Sequence, residues 1–231
     1  MIRAFIVPTL LLSLLAGCKH VQNESPYGTG EIPPPPPKQK DPKGLAPFTI
    51  ADYAGSGRVA VEDGNIILDR GRDMTGVVYT KPHPNLDYEI TLQAKRVEGS
   101  DIFCGLTFPA GPEAHCSFVV GGWGGTVVGL SNLDYEDAYN NETAEFVDFE
   151  NGRWYEIRVR VLENRILAFI DDVRMVDVDT TGRLVDVRWE MEVTKPIGIA
   201  TWQTKAAIRN FSIRKLEDHE LDDYPKEELL W

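Results

Sequence analysis

Asn151-Gly152-Arg153-Trp154-Tyr155-Glu156-Ile157-Arg158-Val159-Arg160-Val161, the turn Glu163-Asn164 and the return over 166–171 decide the architecture. Ile157, Val159 and Val161 alternate with Glu156, Arg158 and Arg160, and a two-residue period puts the apolar set on one face of a strand and the charged set on the other. The stretch 88–95 repeats the pattern, with Tyr88, Ile90, Leu92 and Ala94 on the apolar face. Further strands are expected at 58–61, 66–68, 76–79, 103–108, 117–120, 127–130, 166–170, 188–193, 197–202 and 208–215, separated by short turns. No amphipathic helix of useful length follows the N-terminal segment. Ten or more short antiparallel strands in one unit make an all-β sandwich of two sheets.

Outward from that unit, the N-terminus carries an apolar run from Ala4, behind Arg3, that closes at Leu15-Ala16-Gly17-Cys18. The run is too short to span a bilayer comfortably and ends in small residues, so 1–17 is expected to be a lipoprotein signal peptide. Cys18 would then be lipidated. Each buried acyl methylene contributes about 0.8 kcal/mol, enough in several chains to hold the protein at a membrane of the bacterial cell envelope without a spanning helix. Residues 18–47 read as the lipidated cysteine and a linker, whose five prolines at 33–37 favour a semi-rigid polyproline spacer. The folded domain is expected over 48–216, and 217–231 as an acidic tail whose terminal Leu229-Leu230-Trp231 either stays in solvent or packs back.

A net charge of −12 argues against nucleic acid and against adhesion to acidic headgroups, leaving the lipid as the membrane contact. Neutral partners such as sugars fit better. Cys104 and Cys116 flank the turn Pro109-Ala110-Gly111-Pro112 and share their strand faces with Leu106 and Phe108, and with Phe118 and Val120. Both are therefore expected in the core, either as a disulfide or as two inert thiols.

The outward-facing polar groups around the expected concave face are Asp101, His115, Ser117, Asn132, Asp134 and Glu142. Alternation places His115 opposite Cys116, where an imidazole can serve as base, acid or ligand. Gly121-Gly122-Trp123-Gly124-Gly125 is either a loop that offers Trp123 to a sugar ring or a bulge that tucks it into the core. Trp154 and Trp189 sit on the inward pattern and read as packing. Glu145, Asp148 and Glu150 do not share one strand face, and Glu190 and Glu192 share theirs with Arg188 as an exposed ion-pair ladder. Neither set has the spacing of an ordinary two-carboxylate glycosidase.

Tryptophan before a strand, a hairpin, then Gly198 to Trp202 leading into Ile208-Arg209-Asn210-Phe211-Ser212-Ile213 resembles the concanavalin A-like jelly roll. More narrowly it resembles the 3-keto-disaccharide hydrolase domain, also described as a 3-keto-glucoside lyase and hydratase domain. Gly76-Val77-Val78-Tyr79-Thr80-Lys81 followed by Leu86-Asp87-Tyr88-Glu89-Ile90 agrees with that family's entry into the sheet. Where the family typically has an Asn-Ser-Gly strand and a Glu-x-Gln strand, this chain reads Ser100-Asp101-Ile102-Phe103-Cys104-Gly105 and His115-Cys116-Ser117. The resemblance implies cleavage at C1 of a 3-keto sugar, by a base near neutral pKa and an electrophile such as a divalent metal. On this reading His115 and Asp134 would be catalytic, and Asp101, Ser117, Trp123, Asn132 and Glu142 would bind substrate. A non-catalytic glycan-binding domain and an envelope scaffold are the alternatives.

Overall fold

The computed structural model describes residues 38–222, so the signal, Cys18, the five-proline run and the end of the tail lie outside the described residues. Fourteen strands run in chain order: β1 (Phe48–Ile50), β2 (Val59–Glu62), β3 (Asn65–Leu68), β4 (Met74–Tyr79), β5 (Tyr88–Glu98), β6 (Cys104–Pro109) and β7 (His115–Gly122), then β8 (Val127–Ser131), β9 (Glu145–Phe146), β10 (Tyr155–Leu162), β11 (Arg165–Ile170), β12 (Val173–Asp179), β13 (Gly198–Trp202) and β14 (Lys205–Lys215). They build two antiparallel sheets of seven. The first, sheet A, has the order β1-β4-β13-β6-β7-β8-β9, and sheet B the order β12-β11-β10-β5-β14-β3-β2.

Alternation is what closes the sandwich. Leu106 and Phe108 of β6, Phe118 and Val120 of β7, Ile90 and Leu92 of β5 and Ile157 and Val159 of β10 are all fully or almost fully buried in one core between the sheets. At about 25 cal/mol per Å² of apolar surface removed from water, this layer is the main stabilising contribution. Tyr88 keeps its hydroxyl paired inside it by donating to the Pro109 carbonyl at 2.5 Å. Cys104 and Cys116 lie in the same core as free thiols. Register explains why, because Cys104 faces Val120 and Cys116 faces Phe108 across the β6–β7 pair. Burial raises both thiols, Cys116 to about 12, so neither is a nucleophile.

Three sequence expectations give way. The stretch 188–193 is not a strand: Trp189–Thr194 is a 3-10 helix, hereafter the strap helix, whose period of three turns Met191 and Thr194 inward. Trp189 is accordingly 79% exposed rather than packed. Trp154 does pack, but on the outside of sheet B, against Ala60, Ile67 and Ala207. At the N-terminal boundary, residues 38–47 lie against the domain, with Leu45 buried and Asp41 accepting from Thr49 Oγ1 and Ile50 N at 2.7 and 2.8 Å. At the other end a helix, α1 (Asp218–Asp222), carries Glu220 to Arg160 and Arg214 on sheet B. No helix among the described residues is long and apolar enough to cross a membrane.

Candidate functional site

The outer face of sheet A is made of small and apolar residues: Gly105 and Thr107 on β6, Ser117 and Val119 on β7, Gly129 and Ser131 on β8. Such a face is not left to water. The loop over 132–144 and the segment over 180–197 fold across it, and a cleft of about 210 Å³ remains between the strap helix on one side and Asp101, Ile102 and Trp123 on the other. That is below the roughly 300–1,000 Å³ typical of drug-sized ligands, and suits about one ring. Its floor is Ser117, Val119 and Ser131, with Met74 and Met191 as apolar wall, and Trp123 and Trp202 both line it. Asp101, Arg188 and Glu190 supply its charge. Glycines make the floor possible: a Cβ on Gly105 would come within 3.2 Å of Met191 Cε, and one on Gly76 within 3.1 Å of the Tyr53 ring. Tyr53 Oη is buried on this side near the Thr194 hydroxyl, without a hydrogen bond of good geometry among the described residues. Burial raises its pKa, so it stays a protonated donor beside Met74, Met191 and Trp202.

The strap helix is pinned by a relay of hydroxyls. Thr194 Oγ1 donates to the Met191 carbonyl at 2.5 Å. Each hydroxyl has one proton, so Thr107 donates to Thr194 at 2.7 Å and Ser117 to Thr107 at 3.0 Å. Ser131 donates to Asn132 Oδ1 at 2.9 Å. Both floor serines therefore spend their protons on the protein and offer a ligand acceptor oxygens alone. Donors come from Arg188, which uses three of its five N–H groups on carboxylates: Nε and Nη2 on Glu190 at 3.2 and 2.9 Å, and Nη1 on Asp137 at 2.9 Å. One N–H remains on each terminal nitrogen. These carboxylates raise the Arg188 pKa, Glu190 foremost, and its guanidinium lies 5.8 Å over the Trp123 ring.

Trp123 is held at the cleft by the glycines around it. Sequence left loop and bulge open, and both occur. The β7–β8 register shifts between Val120 and Gly122, and Trp123 follows at φ 48° with 39% of its surface exposed. Asp101 clamps this loop, accepting from Ile102 N at 2.8 Å and Gly124 N at 3.3 Å. Arg96, buried behind it, donates to the carbonyls of Gly125 and Phe149 at 3.3 and 2.6 Å.

Asp101, Ser117 and Trp123 therefore meet in one cleft, and the other expected site residues do not line it. His115 is half-buried on the same strand face, next to where Thr194 seats the strap helix on Thr107. Burial and then Lys195 lower its pKa. Asn132 stands behind Ser131. Asp134 and Glu142 are both captured by Arg183 at 2.5 Å. The Leu184 amide and Arg183 hold Asp134 below the usual carboxylate range, and Arg183 does the same for Glu142. A carboxylate paired with a guanidinium in this way is a poor base. Arg188, Glu190, Trp202 and Ser131 are cleft residues that the sequence reading passed over, the first two because alternation made 188–193 look like a solvated strand, Ser131 and Trp202 because they close the strands β8 and β13 with no polar motif around them. The signal that distinguishes the two is the spacing of Arg188, Met191 and Thr194 by three.

A divalent metal fits poorly. Among the described residues no three His, Cys, Asp or Glu side chains gather as a metal-holding group.

The family model described as a 3-keto-alpha-glucoside-1,2-lyase-like domain matches residues 37–214. Among solved structures, the carbohydrate-binding module CBM66 from Bacillus subtilis superposes with a TM-score of 0.51 at 11% identity, covering 77% of this chain and 100% of that one. The Crh5 transglycosylase in complex with NAG does so with a TM-score of 0.50 at 8% identity, covering 75% and 80%. At such identities the likeness is one of fold. No curated protein sequence matches the chain.

Proposed function

The chain belongs to the 3-keto-alpha-glucoside-1,2-lyase-like family, its function is carbohydrate-related, and from that premise we propose that the sheet A cleft binds a 3-keto glycoside and eliminates the group at C1. The observation that carries this reading is that a carboxylate, Asp101, and a partly unused guanidinium, Arg188, both line a one-ring cleft with Trp123 and Trp202. A ketone at C3 acidifies the C2 hydrogen. Asp101 removes that proton, the C2–H electron pair becomes the enolate, and the two remaining N–H groups of Arg188 hold the charge on O3. Collapse of the enolate forms the C1–C2 double bond, and the C1–O bond breaks. The departing oxygen takes a proton from water. Ser117 and Ser131 accept from sugar hydroxyls. No step is routed through a metal, because the donors for one are not gathered here.

A second reading is glycan binding without turnover. The observation favouring it is that Glu190 is tied bidentately to Arg188 and both Asp101 oxygens already accept backbone N–H groups. Incubation with a 3-keto-glucoside, following release of the leaving group, separates the two. Release that Asp101→Asn abolishes supports the lyase, whereas no release with a tryptophan emission shift on sugar addition supports binding alone. Export and anchoring through Cys18 in the cell envelope belong to the same proposal and rest on Leu15-Ala16-Gly17-Cys18.

A further inference from the structure

The aromatic surface does not stop at the cleft. Trp123 stacks with Tyr139, centroids 6.2 Å apart and planes 26° apart, and Tyr139 meets Phe146 of the edge strand β9 at 6.0 Å and 89°. These rings are 39%, 49% and 63% exposed. Three aromatic side chains, each neighbouring the next and open to solvent, form a path from the cleft mouth to the rim of sheet A. Isolated exposed apolar residues are ordinary, but a contiguous row continuous with a binding cleft marks a ligand surface. The charge around it narrows the ligand. Between Thr126 and Gly152 the chain carries seven carboxylates and no lysine, arginine or histidine. Arg183 and Arg188 reach in from the covering segment to Asp134, Glu142 and Asp137, and the negative balance that remains disfavours uronates, sulfated sugars and acidic lipid headgroups. Aromatic faces for the C–H side of a pyranose, with carboxylate acceptors beside them for its hydroxyls, match a neutral sugar chain.

We propose that Tyr139 and Phe146 carry the further rings of a neutral glycan whose end occupies the cleft, so that the ligand is a chain of three or more sugars. The proposal rests on the cleft reading above. Its loop is built to keep the row in place: Asn141, buried, donates from Nδ2 to the carbonyls of Leu130, Glu136 and Asp137, and accepts from Thr143. The row is thus a fixed surface on a braced loop.

The test is calorimetric titration of the full chain with neutral gluco-oligosaccharides of increasing length, α- and β-linked, alongside oligogalacturonates. In the better-binding neutral series, affinity should keep rising beyond two rings, by about threefold to tenfold for each further ring that stacks. Tyr139→Ala and Phe146→Ala should flatten that rise, so that long chains bind no better than short ones. Affinity that levels off at two rings, a rise unchanged in both variants, or oligogalacturonate binding as tight as that of the neutral chains would overturn the proposal. Long chains that bind through Tyr139 and Phe146 while a single ring does not would contradict the cleft reading and leave the row standing. A single ring that binds with no gain from length would do the reverse.

Discussion

The two sheets share one core but use their outer faces in opposite ways. Outside sheet A the strands present Gly105, Thr107, Ser117, Val119, Gly129 and Ser131, and the chain folds back over them to leave a cleft. Outside sheet B they present charge. Glu89, with 6% of its side chain exposed, accepts from Arg160 at 2.6 Å and Arg214 at 2.8 Å, with Arg158 at 3.7 Å. Arg209 and Lys95 lie 4.0 and 4.7 Å over Trp154. A face of small residues must recruit a cover, and the cover brings chemistry with it. A face of long charged side chains covers most of itself with their stems, and only the five-residue α1 lies over one part of it.

The largest expected difference is in activity. Asp101→Asn removes the proposed base and leaves one acceptor oxygen where the carboxylate served both the Ile102 and Gly124 amides. Leaving-group release should therefore fall by about 10²–10⁴-fold, with only a small drop in the unfolding midpoint, that of one hydrogen bond. The mirror experiment is on sheet B. Glu89→Ala removes the buried carboxylate that three guanidinium groups share, while Arg160 and Arg214 keep Glu220 and Arg158 keeps Asp172. The loss should be that of charged hydrogen bonds, about 1.5–3 kcal/mol, which urea denaturation will read. Release by the folded fraction should be unaffected. If Glu89→Ala silences release while leaving stability intact, the division of labour between the faces is wrong. Arg188→Lys comes next. It replaces a planar fork by a point charge, and the loss of a charged hydrogen bond worth about 1.5–3 kcal/mol should lower kcat about tenfold or more, with KM less affected.

Much of this division was legible in the sequence, because parity alone sorts β5, β6, β7 and β10 into core and outer faces. Cys104, Leu106 and Phe108 went inward on that argument and are there in the structure. The cover was illegible for a physical reason. Arg188-Trp189-Glu190-Met191-Glu192 alternates like a strand, yet it has no strand to pair with, and hydrogen bonding closes it into a 3-10 helix fixed by Thr194 on Thr107. Asp134 and Glu142 looked like free carboxylates because the residue that occupies both, Arg183, lies some forty to fifty positions away. Polar identity can be read from sequence. Prior engagement by a distant cation cannot.

The smallest effect belongs to α1. Arg214 and the Glu217 amide hold Glu220 at a pKa of about 2, against an ordinary 4.5. A depressed carboxylate pKa adds stability that is complete above the ordinary value and fades as pH falls towards the folded value. Glu220→Gln should therefore be slightly less stable than the parent chain at neutral pH, and the gap should narrow between about pH 4.5 and pH 2. A gap that widens on acidification would show that Glu220 does not hold the tail to sheet B.

The most direct measurement is a crystal structure of the Asp101→Asn protein soaked with a 3-keto-glucoside. The account predicts one sugar ring between Trp123 and Trp202, above Ser117 and Ser131, with its keto oxygen on Arg188. A ring bound to the charged outer face of sheet B, with the sheet A cleft empty, would contradict it.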